Sequence, residues 1–218
     1  YLGTVAEGGA LDLYQGDLRL RSPDGATDLD FSCDDWREHL FEEAVPTSYA
    51  KYVYCHTPEG PVPYRVGPLA RLNVCDHIDT PAAQAELEAF REMAGFPCHQ
   101  TVMFHHARLV ELLHALEKLK ECVDDDEIVS DNVKAKITSK PQNAAAHVEA
   151  QRGVLIHDYE VDDEGIVTKA NMIIATQQNA SAIDATIAQC AERYIDQPDE
   201  VLLNGIEFGI RFYDPCLS

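Results

Sequence analysis

Apolar and polar positions alternate in short bursts over residues 1–65 and give way to helical periods over 80–123. Leu11-Asp12-Leu13-Tyr14 and Asp17-Leu18-Arg19-Leu20 alternate on either side of Gln15-Gly16, a pattern that predicts a hairpin. A further turn follows at Ser22-Pro23-Asp24-Gly25, and the acidic stretch from Asp28 to Glu43 predicts a short helix anchored by Trp36 and Phe41. From Cys55 to Pro68, prolines and glycines argue for irregular, extended backbone. Thr80-Pro81 sets an N-cap and a first-position proline before a helix over Ala82–Met93, which Gly95 and Pro97 end. The longest period runs from Gln100 to about Val123, where Val102, Leu109, Leu112, Leu113, Leu116 and Leu119 predict one inward stripe. Glu117, Lys118, Lys120 and Glu121 fall toward its other face.

Asp124–Glu127 reads as a solvated loop, and residues 131–150 as a weakly structured connector. Gly153–Val161 and Ile166–Thr176 predict a second hairpin across Asp162-Asp163-Glu164-Gly165. Ser181 with Asp184 suggests a capping box opening a helix that carries Ile183, Ile187, Cys190, Tyr194 and Ile195. Helices with separate antiparallel hairpins give an α+β class.

Composition narrows the function. The 218 residues hold 17 Lys+Arg against 38 Asp+Glu, a net charge of −21 that disfavours nucleic acid and anionic lipid as partners. No apolar run approaches the roughly 20 residues that span a bilayer. Seven cysteines at irregular spacing, without a CxxC pair, favour a reducing, cytoplasmic setting. The start at Tyr1 and the stop at Ser218 read as cut ends.

Candidate chemistry is sparse on spacing alone. His99, His105, His106 and His114 lie close in sequence, but HExxH and CxxC spacings are absent, so ordinary helix histidines are the stronger reading. Cys75-Asp76-His77 is equally weak as a metal motif. There is no GxSxG elbow and no glycine-rich phosphate loop. Three stretches stand out. Arg152-Gly153 lies at the mouth of an apolar strand, where a guanidinium could reach into a cavity or simply sit at the surface. Ala175-Thr176-Gln177-Gln178-Asn179 clusters polar side chains at a strand end, and Asp214-Pro215-Cys216 places a thiol after a rigid turn. A thiolate is a ligand for soft metals, although a lone cysteine is more often structural.

These stretches, taken in order, resemble the large catalytic subunit of nickel–iron hydrogenases, in the cytoplasmic bidirectional branch linked to NAD, deazaflavin or heterodisulfide reductase. The matching segments are Tyr64–Asn73, Ile78–Pro81, Glu149–His157, Lys169–Asn179 and Arg211–Ser218. The resemblance implies one large-subunit domain over 1–218, with a strand- and turn-rich section 1–65, a helical section 80–123 and an active-site section 150–218. It places the N-terminal CxxC region and the extreme C-terminus outside the chain, so these residues alone would be inactive and metal-free.

The resemblance further implies reversible heterolytic cleavage of H2 at a nickel–iron centre carrying CO and CN ligands. Cys216 would be a terminal nickel ligand, and Arg152 would hang over the metals as a catalytic group paired with Asp214, the pairing keeping it buried. Thr176 would hydrogen-bond a cyanide, with Gln151 and Ala175 beside the diatomic ligands, and the Met172 carbonyl would bind magnesium. Gln151 departs from the family's usual proline and so loosens the backbone before Arg152. The implied partners are a small subunit with iron–sulfur clusters, and a downstream diaphorase, deazaflavin-reducing or heterodisulfide-reductase module. Two alternatives stay open: a non-catalytic homologue of the same fold, as at the quinone site of respiratory complex I, or an unrelated acidic binding module. Apolar patches left bare on the surface are a further expectation.

Overall fold

Strand β1 (Leu2–Val5) is buried along its whole length, so its sequence carries no in–out alternation to read. In the computed structural model, which describes residues 1–58, 60–134, 136 and 142–216, β1 pairs antiparallel with β2 (Asp17–Arg21). Strand β2 in turn pairs with β3 (Asp28–Phe31). The expected hairpin of Leu11–Tyr14 with Asp17–Leu20 is therefore corrected. Leu11 bridges Val5 instead, and its N–H donates to the His77 carbonyl at 2.8 Å. Ser22–Gly25 does turn between β2 and β3, the Gly25 N–H donating to the Ser22 carbonyl at 3.0 Å.

A short helix α1 (Trp36–His39) follows, its Trp36 4% exposed and donating from Nε1 to Asp158 at 2.7 Å. Strands β4 (Leu40–Glu43), β5 (Tyr52–Thr57) and β6 (Gly60–Val62) make a second antiparallel sheet. Regular pairing thus enters the segment read as irregular. Pro61 is accommodated because β6 lies at the sheet edge, where a missing N–H costs little.

Helix α2 (Pro68–Val74) is buried at all seven positions. Next come α3 (Pro81–Ala94), a 3-10 turn at Thr101–Met103 and α4 (Phe104–Val123). Thr80 occupies the N-cap position of α3, but its hydroxyl bonds His114 Nδ1 at 2.8 Å. The cap is Glu117 of α4, whose carboxylate accepts from the Ala82 and Ala83 N–H groups at 3.0 and 2.9 Å.

The leucine stripe of α4 faces outward. Leu109, Leu112, Leu116 and Leu119 are 63%, 55%, 54% and 57% exposed, and Val102 is exposed as well. Phe104, Ala107, Val110 and His114 form the buried face, with Leu113 half-buried beside it. The bare apolar patch expected of this chain is thus present on α4.

The third antiparallel sheet holds β7 (Asn143–Ala150), β8 (Gly153–Val161) and β9 (Val167–Ile173). β7 corrects the connector reading of 131–150 over Asn143–Ala150, where the alanines are too small to show a hydrophobic period yet pair residue for residue with β8; residues 135 and 137–141 of that stretch lie outside the described residues. The chain then forms α5 (Ala175–Gln178), α6 (Ala180–Tyr194) and α7 (Asp199–Arg211). Ser181 does not cap α6. It lies inside the first turn, its buried hydroxyl without a partner among the described residues, while Asn179 takes the cap position. Asp184 accepts from the Tyr52 hydroxyl at 2.6 Å.

Helices plus separate antiparallel sheets make the fold α+β. One core joins Leu69 and Leu72 of α2 to Leu87, Phe90, Phe104, Ile183 and Tyr213. The other joins the sheets through Leu2, Leu18, Trp36, Val53, Tyr64, Val154 and Ile156. Among the described residues, no helix is long and apolar enough to cross a membrane.

Candidate functional site

The turn between β7 and β8, the start of α5 and the segment after α7 converge on one place. Arg152 Nη2 lies 3.1 Å from Asp214 Oδ2, and Arg152 Nε donates to the Asp214 carbonyl. The Cys216 N–H donates to Thr176 Oγ1 at 3.1 Å. Four of the singled-out residues, Arg152, Thr176, Asp214 and Cys216, are thereby tied together across roughly 60 positions of sequence.

Two close backbone crossings aim Arg152. Gly67, with φ +97° and ψ −168°, lets the Arg152 carbonyl approach so closely that a Cβ on Gly67 would sit 2.7 Å from it. Gly153, at φ +135°, does the same for Val66, whose Cγ2 would lie 2.5 Å from an added Cβ. The polar cluster after β9 locks the same region. Gln178 accepts from the Tyr64 hydroxyl at 2.9 Å and donates to the Val154 carbonyl at 2.6 Å. Asn179 accepts from the Val66 N–H at 3.0 Å and donates to its carbonyl at 3.2 Å. Glu42 of β4 receives Asn171 and Gln177 at 2.8 and 2.9 Å, fixing both approaches to α5.

The C-terminal segment is docked from two sides. Arg108 of α4 donates to the Phe212 carbonyl at 2.6 Å, and Tyr213 is bonded to Thr186 Oγ1 at 2.9 Å and to the Ala182 carbonyl at 3.1 Å. Asp214 itself has φ +50°, the left-handed region that aspartate tolerates better than most residues. Burial lowers the Arg108 guanidinium below its ordinary value, and Asp214 and Glu111 act against that shift.

Arg152 and Asp214 are 32% and 53% exposed at their side chains, so the pair is open to solvent rather than buried as expected. On its own such a pair is worth about 0.2–1 kcal/mol; its value is orientation. The Thr176 hydroxyl accepts from Cys216 and keeps its own O–H to donate elsewhere. Ala175 is buried at the first position of α5, and Gln151 is exposed in the β7–β8 turn. Met172 lies in β9 opposite His157 with its side chain exposed.

The histidines do not converge. His114 binds Thr80, His106 packs edge-on to Phe90, His105 lies against Phe212 and His99 stacks on Tyr1. Cys75 is fully buried, and Asp76 pairs with Arg19 and Arg21. Among the described residues, no three His, Cys, Asp or Glu side chains are disposed to hold a metal. Cys216 therefore offers one exposed thiol, its backbone held by Thr176 two residues after Asp214 of the Arg152–Asp214 pair: a fit to one corner of a metal group rather than to a whole coordination shell. Glu42 is missing from the sequence reading, and Gln178 and Asn179 enter it only as members of a polar cluster without named partners, since those partners are remote in sequence.

Comparison with known proteins is consistent across the whole length. A family model described as nickel-dependent hydrogenase matches residues 3–218. The chain is 44% identical over 195 residues to a chain of the F420-non-reducing hydrogenase vhu of Methanocaldococcus jannaschii, covering 88% of this chain and 46% of that protein. It is 36% identical over 226 residues to the NAD-reducing hydrogenase HoxS subunit beta of Cupriavidus necator, covering 98% and 45%. The solved NAD+-reducing [NiFe]-hydrogenase in the H2-reduced state superposes with a TM-score of 0.91 at 34% identity, covering 99% of this chain and 49% of that one. The chain thus spans about half the length of the curated relatives it matches. Sequence and fold agree, and the chain belongs to the nickel-dependent hydrogenase family.

Proposed function

We propose that this chain serves in the catalytic subunit of a nickel–iron hydrogenase, which interconverts H2 with two protons and two electrons. The observation that carries the reading is the convergence of Arg152, Thr176, Asp214 and Cys216 from three separate segments. When bound, a nickel–iron group supplies the Lewis-acidic metal that H2, without charge or hydrogen bond, needs for heterolysis. Cys216 would hold the nickel as a thiolate, as one ligand of the group. Asp214 fixes the orientation of the Arg152 guanidinium, whose planar fork would face the reacting group. Thr176, held by the Cys216 N–H, keeps an O–H that would donate to a cyanide of the bound group, and Ala175 and Gln151 would lie beside its diatomic ligands. The Met172 carbonyl is the candidate magnesium ligand.

Electrons leave through a small subunit with iron–sulfur clusters, since the described residues offer no cluster-binding cysteine set. A cytoplasmic diaphorase, deazaflavin-reducing or heterodisulfide-reductase module would take them onward. The test is expression of the intact gene with its neighbouring subunits, metal analysis, and H2-dependent reduction of a viologen dye. Stoichiometric nickel with dye reduction is expected. A folded complex without nickel would move the assignment to the non-catalytic homologue.

A further inference from the structure

We propose that Arg71 is a positioning residue for the turn that presents Arg152, an inference that rests on reading Arg152 as an active-site group. Arg71 lies on α2 with its side chain 2% exposed, and every guanidinium N–H has a partner. Nε and Nη2 grip both oxygens of Glu111 at 2.6 and 2.7 Å, and Nη1 meets Glu149 Oε2 at 2.7 Å. The remaining two donors leave the carboxylates and bond main-chain carbonyls, Ala150 at 2.9 Å and Gln151 at 3.2 Å. Those are the two residues immediately before Arg152. Glu149 is itself held, its second oxygen accepting from the Thr4 N–H at 2.9 Å.

A cluster serving only to neutralise buried charge would be complete at the carboxylates. Here the fork spends one donor from each terminal nitrogen on the turn, and the same helix meets that turn again at its N-cap. There Gly67 sits under the Arg152 carbonyl, where an added Cβ would be 2.7 Å away. Helix α2 thus meets the turn at three consecutive residues: Arg71 bonds carbonyls 150 and 151, and carbonyl 152 lies close over Gly67. Gln151 and Arg152 form a two-residue connection between Ala150 and Gly153, without the positive φ that would stiffen it as a tight hairpin turn. Gln151 does not fix φ as a proline would, so the guanidinium's bonds to carbonyls 150 and 151 supply restraint beside the Gly67 crossing. A lysine keeps the charge toward Glu149 but, with one nitrogen, cannot reach both carboxylates and both carbonyls.

The experiment uses the full-length subunit in its complex, comparing wild type, Arg71→Lys, Arg71→Lys with Gln151→Pro, and Arg152→Lys. Proline suits the first position of such a turn and restores rigidity without a guanidinium. Arg71→Lys is expected to keep its nickel and its KM for H2 while kcat falls about 10- to 100-fold, the scale of a misaimed catalytic group. Hydrogen exchange over residues 149–154 is expected to quicken in Arg71→Lys, and the added Gln151→Pro to slow it again and recover part of kcat. Arg152→Lys is expected to lose kcat without any change in that exchange. Should lysine not fold, Arg71→Lys with Glu111→Gln, which removes the carboxylate a single nitrogen cannot reach, carries the same comparison. Wild-type exchange and kcat in Arg71→Lys would overturn the proposal, as would a kcat that falls only in step with nickel content. A wild-type complex inert toward H2 would instead refute the hydrogenase reading, and the exchange comparison would still decide whether Arg71 holds the turn.

Discussion

Replacing Gly67 by alanine strikes the point where α2 and the Arg152 turn cross. At φ +97° and ψ −168°, Gly67 occupies a region that only glycine enters freely, so any side chain there costs about 1–3 kcal/mol. The added Cβ would also stand 2.7 Å from the Arg152 carbonyl oxygen and 3.2 Å from its carbon. That neighbour is backbone and cannot rotate away, and such overpacking adds about 1–3 kcal/mol. The expected loss is about 4 kcal/mol, read as a shift of about 2 M in a urea midpoint for a slope near 2 kcal/mol per M. Gly8→Ala is the internal control. Its φ is also positive, +88°, but nothing lies within 4 Å of an added Cβ, so about 1–2 kcal/mol of backbone strain is expected. Equal midpoints for the two variants would refute the argument that this crossing is sterically closed.

Two further outcomes follow from burial. Burial pushes the Cys33 thiol up to about 12 and the Cys75 thiol up to about 11, so alkylation of the native protein near neutral pH should mark the exposed Cys122 and Cys216 and spare those two, as peptide mapping would show. His114 is held below its ordinary 6.5, first by burial and then by Lys118, while it bonds Thr80 at 2.8 Å. The fold favours the neutral ring, so that contribution is complete above the unfolded value and is lost as pH falls. Wild-type stability should therefore decline more steeply than that of His114→Asn between about pH 7 and about pH 5 in urea melts. Parallel curves would remove His114 from the account.

Local signals in the sequence were legible where structure is decided locally. Thr80-Pro81 and Gly95 bound α3 because a first-position proline and a terminal glycine act within one turn of helix. The existence of α4 is equally plain, but its buried face is not. Leu109, Leu112, Leu116 and Leu119 make the stronger apolar stripe, whereas the face meeting α2 and α3 uses Phe104, Ala107, Val110 and His114. Helical period reports that a face exists; the neighbours decide which one packs. β1 and β7 escaped for complementary reasons, one being buried on both faces and the other built from alanines.

The site was legible only through resemblance. Nothing in the spacing of Arg152, Thr176 and Cys216 brings them together, since two glycine crossings and the Gln178–Asn179 contacts do so in three dimensions. Arg71 falls in the matching Tyr64–Asn73 segment but had no role there, because its partners lie 40 and 78 positions away. The expected burial of Arg152 and Asp214 failed for a related reason. A guanidinium and a carboxylate on a turn and a chain end are covered only by what packs over them, and in this chain that face is open.

The central claim is that Cys216 holds nickel while Arg152 acts on H2 above it, and one measurement separates the two roles. Nickel content and H2-dependent viologen reduction would be read side by side in the intact complex for wild type, Cys216→Ser and Arg152→Lys. The account predicts that Cys216→Ser loses both the metal and the activity, and that Arg152→Lys keeps its nickel and loses the activity. Full nickel and full dye reduction in Cys216→Ser would contradict it.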